Sequence, residues 1–211
     1  MTTQKVYNLI ILDESGSMQS IKTATINGFN EVLQTIKGME IKYPNLKQFV
    51  SFVTFNGMGI KTLIDVKPAA LLKELDDKNY KPDSNTPLYD AIGFSVNKLK
   101  AYIDDQEEKN VLVTILTDGE ENSSDEFDVK AVKSLIEEQK AQGWTFSFIG
   151  ANQDVEKVAF SISIKNTMHF DANEKDMKQM FAMESMARGR YNLRVSENVM
   201  DRDGLFDEDE K

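Results

Sequence analysis

The sequence predicts an α/β fold: a Rossmann-like, mostly parallel central sheet with one antiparallel edge strand and helices on both faces. Two observations support this prediction. Short apolar runs rich in β-branched and aromatic residues alternate with stretches in which apolar residues recur at helical spacing. In addition, residues 111–117 (Val-Leu-Val-Thr-Ile-Leu-Thr) are apolar almost throughout, which is typical of a parallel strand covered on both faces.

Six apolar runs are predicted to be strands, and the third of them is predicted to lie at an edge of the sheet. Gly57, Met58 and Gly59 indicate a hairpin turn before this third run, and Pro68, which cannot donate to a sheet ladder, ends it. The predicted strands are residues 6–12, 49–55, 60–66, 111–117, 144–150 and 167–171.

Five stretches between or after these strands are predicted to be helical. In the first, apolar residues recur at helical spacing from Ile21 to Ile36, and Gly38 marks its end. Gly143 closes the fourth in the same way. The predicted helices are residues 21–36, 69–75, 88–103, 129–136 and 174–191.

The length of 211 residues predicts a single domain. Hydrophobic residues make up 40% of the chain, which is enough for a sizeable core without disulfides or metals. From residue 197 onward, acids are frequent, apolar residues are few and no periodicity is present. We therefore predict a domain over residues 1–192 and a flexible acidic tail over residues 193–211.

The charge, the cysteine count and the lengths of the apolar runs exclude several classes of function. The formal charge is −10, from 25 Lys and Arg against 35 Asp and Glu, which opposes binding to nucleic acid. The chain has no cysteine, so disulfides, iron–sulfur clusters and thiolate zinc sites are excluded. No run approaches the roughly 18 apolar residues of a membrane span and no signal peptide is recognised, so we expect a cytoplasmic protein without membrane contact.

The most informative stretch is Asp13-Glu14-Ser15-Gly16-Ser17, directly after the first predicted strand. It places one carboxylate and two hydroxyls on a tight turn, and Gly16 lets the backbone bend so that alternate side chains converge. Such oxygens are the ligands that a hard divalent cation prefers. As an alternative, Asp13 and Ser15 would only cap the helix that follows.

Two further segments supply oxygens that we expect at the same place. Asp118 follows the predicted strand 111–117, and Thr86 starts the helix 88–103. Ligands of open parallel sheets bind beyond the carboxyl ends of the strands, where Asp13 and Asp118 both lie. Each segment also has an ordinary explanation, since Thr86 suits a helix start and Asp118 a simple turn. The occurrence of all three favours one shared ion site.

Mg²⁺ is the expected ion, with Mn²⁺ and Ca²⁺ as alternatives. Mg²⁺ takes about six oxygens in near-octahedral geometry and keeps several waters, so five protein groups leave at least one exchangeable position. Two carboxylates and three neutral hydroxyls leave the ion electrophilic. We therefore expect it to attract a carboxylate from outside the chain. The five groups are Asp13, Ser15, Ser17, Thr86 and Asp118.

With these motifs the chain resembles the von Willebrand factor type A domains, which include the integrin inserted domains. The metal-ion-dependent adhesion site of that family has a D-x-S-x-S first loop, a Thr in the second loop and an Asp in the third, and all five positions match. The resemblance covers roughly residues 5–190. Ser84 and Asn85 stand where many relatives carry a glycine pair, which predicts a stiffer or differently shaped second loop. The strings T-P-L-Y-D-A and T-D-G-E are most similar to bacterial and phage stand-alone members.

The resemblance implies a non-enzymatic adaptor that binds a protein partner in a metal-dependent manner. An Asp or Glu of the partner would complete the ion's coordination, and binding in the family is often coupled to a shift of the last helix, here residues 174–191. The side chains predicted to contact the partner around the ion are Glu14, Met18, Asn85, Tyr89 and Glu120.

Two other functions stay open. In a magnesium-dependent phosphohydrolase, an Asp at a strand end beside a metal suits phosphoryl chemistry. Such an enzyme would want a second Asp at position 15, which is Ser15, and a nearby Lys, which the first and third loops lack. In a structural protein, the ion would only stabilise the fold.

Overall fold

The computed structural model describes residues 3–103, 110–151, 154–199 and 204–207. Within these ranges the strands form one sheet, and their bounds are β1 (Gln4–Asp13), β2 (Leu46–Asn56), β3 (Gly59–Pro68), β4 (Asn110–Thr117), β5 (Thr145–Gly150) and β6 (Asn166–His169). The order across the sheet is β3-β2-β1-β4-β5-β6. All neighbours are parallel except β2 and β3, which are antiparallel. The predicted fold class, including the antiparallel edge strand, is therefore confirmed.

The helices of the described residues are α1 (Lys22–Lys42), α2 (Leu88–Ile103), α3 (Val129–Ala141), α4 (Val155–Ser161) and α5 (Glu174–Ser196), with 3₁₀ turns at Gly16–Ile21 and Ala69–Leu71. Helix α4 was not among the predicted helices. Its seven residues bury only Val155 and Ala159, which are too few for a periodicity to be read. No helix in the described part of the chain is both long enough and apolar enough to cross a bilayer.

The central strand β1 is buried on both faces because its apolar residues alternate between two cores. Leu9 and Ile11 face a core formed with α2 and α3. Ile10 and Leu12 face a second core, formed with α1 and α5. Side chains along a strand point alternately to opposite faces, so a continuous apolar run places β1 between two helical layers.

Helices α1 and α5 pack closely because a glycine lies at their contact. A Cβ on Gly28 of α1 would overlap the ring of Phe181 on α5. Both helices are buried against the same face of the sheet, and Phe181 stands in their shared core. The missing side chain at Gly28 thus sets how near the last helix comes to the first.

A buried polar network joins α5 to the middle of the sheet. Arg188 pairs with Glu184 one turn earlier on α5 and donates to Asn8 Oδ1 of β1 at 2.6 Å and to Thr114 Oγ1 of β4 at 3.0 Å. Arg188 is 1% exposed. A buried charge is tolerated when it is paired and hydrogen-bonded, and Arg188 is paired with Glu184 and bonded to Asn8 and Thr114.

The predicted helix over residues 69–75 is wrong beyond its first turn. After the 3₁₀ turn the backbone of Leu72 is extended, and its carbonyl accepts from Lys37 Nζ at 2.9 Å. The side-chain amide of Asn30 exchanges two hydrogen bonds with the backbone of Leu75, at 2.8 and 3.0 Å. Because α1 satisfies these backbone groups, the segment does not need helical hydrogen bonds.

The last helix ends five residues after the predicted end at Tyr191, and the predicted boundary between residues 192 and 193 falls inside it. Of the predicted tail after this helix, residues 197–199 and 204–207 are described. Leu205 is buried, its N–H donates to Asn166 Oδ1 at 3.1 Å, and its carbonyl accepts from Arg190 at 2.6 Å. This part of the tail therefore lies against the domain. Residues 200–203 and 208–211 lie outside the described residues.

Candidate metal-ion site

Asp13 ends β1 at the carboxyl edge of the sheet, and every polar atom of its side chain has a partner. Oδ1 accepts from the Ser15 N–H at 2.7 Å, and Oδ2 accepts from the Thr117 hydroxyl at 2.6 Å. The Asp13 carbonyl accepts from the buried Tyr80 hydroxyl, also at 2.6 Å. Asp13 is fully buried. The carboxylate of Asp13 is therefore held in one orientation by the first loop, through Ser15, and by β4, through Thr117.

The serine hydroxyls continue from Asp13 towards the surface. Ser15 Oγ and Ser17 Oγ are 3.1 Å apart, and Ser17 Oγ donates to Asp118 Oδ1 at 2.6 Å. Ser15 is buried and Ser17 is exposed. The first and third loops thus meet through a chain of oxygens that runs from the interior to solvent.

Thr86 joins this group from the second loop. A Cβ on Gly119 would lie 3.0 Å from Thr86 Oγ1 and 3.6 Å from Ser17 Oγ, so both hydroxyls border the same side of Gly119. The backbone of Thr86 is fixed to the third loop, because its N–H donates to Asn122 Oδ1 at 2.9 Å. All five predicted ligands, Asp13, Ser15, Ser17, Thr86 and Asp118, therefore lie at one place.

Burial disfavours the ionised form of the Asp13 and Asp118 carboxyl groups when no counter-charge is nearby. Burial raises the pKa of Asp13 from 3.8 to about 6, the hydrogen bonds from Thr117 and Ser15 oppose this rise, and the charge of Asp118 adds to it. The pKa of Asp118 is also raised, again chiefly by burial. A cation between these groups would offset both effects.

The donor set fits a hard divalent ion. Its members are carboxylate and hydroxyl oxygens, the ligand type that Mg²⁺, Mn²⁺ and Ca²⁺ take. In the described ranges no three His, Cys, Asp or Glu side chains are grouped so as to hold a metal ion. Any ion held here would therefore depend on the hydroxyls as well as on Asp13 and Asp118.

Two of the predicted partner contacts need correction. Glu14 is 1% exposed, because its carboxylate accepts from the Lys81 N–H at 2.6 Å and pairs with Lys61 Nζ at 3.3 Å. Met18 is fully buried in the core beneath α1. Both side chains point into the protein, whereas Ser17 between them is exposed. The other three contacts are accessible: Asn85 and Glu120 are exposed and Tyr89 is half-buried.

Three residues of this region were not predicted from the sequence. Thr117 and Tyr80 fix Asp13, as described above, and Met58 is 63% exposed at the tip of the β2–β3 hairpin. Thr117 directly precedes Asp118, and this position was a signal for its role. It was not used, because Thr117 was assigned only as the last residue of a predicted strand. An apolar residue between two glycines was the signal for Met58. The distant Tyr80 gave no signal, since only folding brings it to Asp13.

In the second loop, Ser84 has a backbone conformation that is unusual for a residue other than glycine. Ser84 has a φ of 69°, in the left-handed region that favours glycine. Its carbonyl accepts from the Gly16 N–H at 3.0 Å, which ties the second loop to the first. A Cβ on Gly57 would overlap the Ser84 hydroxyl, so the β2–β3 turn also packs against this loop. These contacts hold Ser84 in a conformation that few side chains adopt.

Together, the fold and the site define an α/β domain with a candidate cation site at the carboxyl edge of a mostly parallel sheet. The chain belongs to the von Willebrand factor type A domain family, whose model matches residues 9–186. No curated protein matches the sequence.

Three solved structures illustrate the likeness, which at these identities is one of fold. The SpRpn10 VWA domain is 11% identical with a TM-score of 0.57, over 84% of this chain and 94% of that one. The manganese-loaded TRAP protein of Plasmodium vivax is 17% identical with a TM-score of 0.55, over 86% and 74%. The pilus adhesin SpaC of Lactobacillus rhamnosus GG is 13% identical with a TM-score of 0.61, over 91% of this chain and 30% of the adhesin.

Proposed function

We propose that this domain is a non-enzymatic, divalent-metal-dependent protein-binding module, in which a partner's Asp or Glu completes the coordination of the ion. The observation that carries the proposal is the convergence of five oxygen-bearing side chains from three loops, with Ser17 at the solvent side. Membership of a family that often mediates metal-dependent protein interactions supports it.

The charge of the donor set suits a carboxylate partner. Asp13 and Asp118 supply two negative charges at most, and Ser15, Ser17 and Thr86 supply neutral oxygens. A divalent ion held this way retains affinity for a further anion, and the exposed end of the oxygen chain is where that anion would approach. A carboxylate is the anion that a protein surface offers at neutral pH.

The surface around the proposed ion supplies the remaining contacts. Asn85, Tyr89 and Glu120 keep the role predicted for them, and Met58 joins them, because its hairpin turn packs against the second loop. We expect a partner whose acidic residue has an apolar neighbour that reaches Met58.

Mg²⁺ is the proposed physiological ion, and Mn²⁺ is a suitable substitute in experiments. The TRAP protein of similar fold was crystallised loaded with manganese. The phosphohydrolase alternative gains no support: position 15 is a serine, and Lys61, the lysine held near the first loop, is paired with Glu14. A cytoplasmic location is part of the proposal and rests on the sequence alone.

Affinity capture from host lysate tests the proposal. Wild-type protein and Asp13→Ala are compared with Mg²⁺ and with EDTA, and Asp65→Ala, which removes an exposed carboxylate on the edge strand, is the matched control. We expect a partner that is captured by the wild type and by Asp65→Ala only with Mg²⁺, and never by Asp13→Ala. Identical captured sets under all conditions would refute metal-dependent binding.

A further inference from the structure

We propose that Asp90 is a positioning residue for the candidate ion site: it clamps the third loop onto the start of α2, so that Thr86 and Asp118 stand in place before any ion binds. This inference rests on the proposed function, because it concerns the affinity of the same site for its metal.

The carboxylate of Asp90 accepts three backbone hydrogen bonds from the third loop. Oδ2 accepts from the N–H of Asp125 at 3.0 Å, and Oδ1 accepts from the N–H groups of Glu126 at 3.0 Å and Phe127 at 2.8 Å. Asp90 is 8% exposed. A buried carboxylate that receives several N–H groups makes strong, charge-assisted contacts, and here it leaves Asp90 engaged with amides rather than with the ion.

The third loop in turn caps the beginning of α2. The N–H of Tyr89 donates to Glu121 Oε2 at 2.9 Å, and the N–H of Asp90 donates to Ser124 Oγ at 3.1 Å. The first N–H groups of a helix lack partners inside it, and side-chain oxygens of the loop supply them here. The clamp is therefore reciprocal, since each segment satisfies the backbone of the other.

Thr86 connects this clamp to the proposed ion site. Thr86 exchanges hydrogen bonds with Asn122, through its N–H at 2.9 Å and its carbonyl at 3.2 Å. Asn122 follows Asp118 by four residues. Thr86 is therefore hydrogen-bonded to the loop that carries Asp118, four residues away from that carboxylate.

An aromatic contact closes the far end of the unit. A Cβ on Gly93 of α2 would overlap the ring of Phe127, so this ring lies directly on the helix backbone. Phe127 also meets Phe94 edge-on, with ring centroids 5.2 Å apart. The Phe127 end of the third loop is thus held twice, by this ring contact and by the Asp90 carboxylate.

Asp128 offers a matched control. It too is an acidic side chain of this loop region that accepts from a backbone N–H, that of Ala131 at 2.8 Å, but it caps α3 rather than joining the loop to α2. Loss of Asp128 should therefore lower stability without disturbing Thr86 or Asp118.

The experiment compares wild type, Asp90→Ala, Asp90→Asn and Asp128→Ala by Mg²⁺ titration calorimetry, and by amide hydrogen exchange in EDTA. Outer residues that orient metal ligands typically contribute about 10- to 100-fold to affinity, so we expect a loss of that size for Asp90→Ala. Asp90→Asn should fall between, because its one oxygen keeps the bonds to Glu126 and Phe127. For Asp128→Ala we expect less than about a twofold change. Exchange at residues 125–127 should accelerate in Asp90→Ala, and in Asp90→Asn chiefly at Asp125, whose acceptor Oδ2 is lost.

Two results would overturn the inference, and they are distinguishable. If the wild type binds Mg²⁺ and both Asp90 variants bind it as tightly as Asp128→Ala does, Asp90 only supports the fold and the proposed function survives. If the wild type itself binds neither Mg²⁺ nor Mn²⁺, the proposed function and the inference fail together. Should Asp90→Ala not fold, Asp90→Asn carries the comparison.

Discussion

The Ser17 hydroxyl donates to Asp118 Oδ1 at 2.6 Å, although the two residues are 101 positions apart. They meet because β1 and β4 are parallel neighbours whose carboxyl ends reach the same edge of the sheet. A cation at this point would draw on the oxygen lone pairs of both residues. The contact therefore lies where the fold brings the first and third loops together at the proposed ion.

Removal of the Thr86 hydroxyl should weaken the metal without unfolding the protein. Thr86→Val keeps the side-chain shape and loses one of the neutral oxygens, and we expect Mg²⁺ affinity to fall roughly tenfold, about 1.4 kcal/mol. Thr86→Ser, which keeps the oxygen, should stay near wild type. Titration calorimetry measures both, and partner capture should follow affinity. Capture that persists in Thr86→Val while its metal affinity is lost would favour a purely stabilising ion.

Magnesium should stabilise the protein more at neutral than at acidic pH. In the metal-free protein burial raises the pKa of Asp13 to about 6, so its contribution to stability is full below pH about 4 and is lost as the pH rises through about 6. Magnesium needs the ionised form. The Mg²⁺-induced rise in Tm should therefore be small at about pH 5 and larger at about pH 7.5. An equal rise at both values, measured by calorimetry against EDTA, would contradict this.

Two glycines of α1 should respond to alanine in opposite directions. In Gly28→Ala the new methyl meets the Phe181 ring, and overpacking of this kind should lower the free energy of unfolding by about 1–3 kcal/mol. Among the described residues, a Cβ on Gly38 would meet no atom within 4 Å outside its own turn of helix, so Gly38→Ala should raise the free energy of unfolding by about 0.5–1 kcal/mol. Urea denaturation of both variants checks the signs. The close α1–α5 contact is disproved if Gly28→Ala is as stable as Gly38→Ala.

Loss of the buried Arg188 should be the most damaging of these changes. Arg188→Met leaves Glu184 as an uncompensated buried charge and removes the donors to Asn8 and Thr114. We expect the free energy of unfolding to fall by about 3–5 kcal/mol. Lys178→Met, which replaces an exposed cation of the same helix, should change it by less than about 0.5 kcal/mol. Comparable effects of the two substitutions would show that the network contributes little.

Much of the fold, and the grouping of the candidate ligands at one edge of the sheet, could be predicted from local patterns. The continuous apolar run of β4 indicated a strand buried on both faces, and Gly57 with Gly59 indicated the hairpin to the edge strand β3. The D-x-S-x-S turn placed its oxygens on alternate residues, which is a property of the chain over five positions. Parallel strands then bring Asp13 and Asp118 to one edge whatever the details of packing.

Other features depended on partners distant in sequence and could not be read in this way. Residues 72–75 have helical composition, yet Asn30 and Lys37 of α1 satisfy their backbone in an extended form. Glu14 was predicted to be an accessible carboxylate, but Lys61 and the Lys81 N–H bind its side chain, which is buried. No residue near Asp90 in the sequence indicates that its carboxylate accepts hydrogen bonds from three backbone N–H groups of the third loop.

The chain's own local chemistry decided which oxygens are present and on which strand ends they lie, because turn geometry and side-chain period act over a few residues. Only the folded arrangement decided which of their neighbours point inward, as Met18 does, and which loops are bound together, as those of Thr86 and Asp118 are. Those outcomes depend on burial and on hydrogen bonds between distant segments, and neither exists until the sheet and its helices have packed.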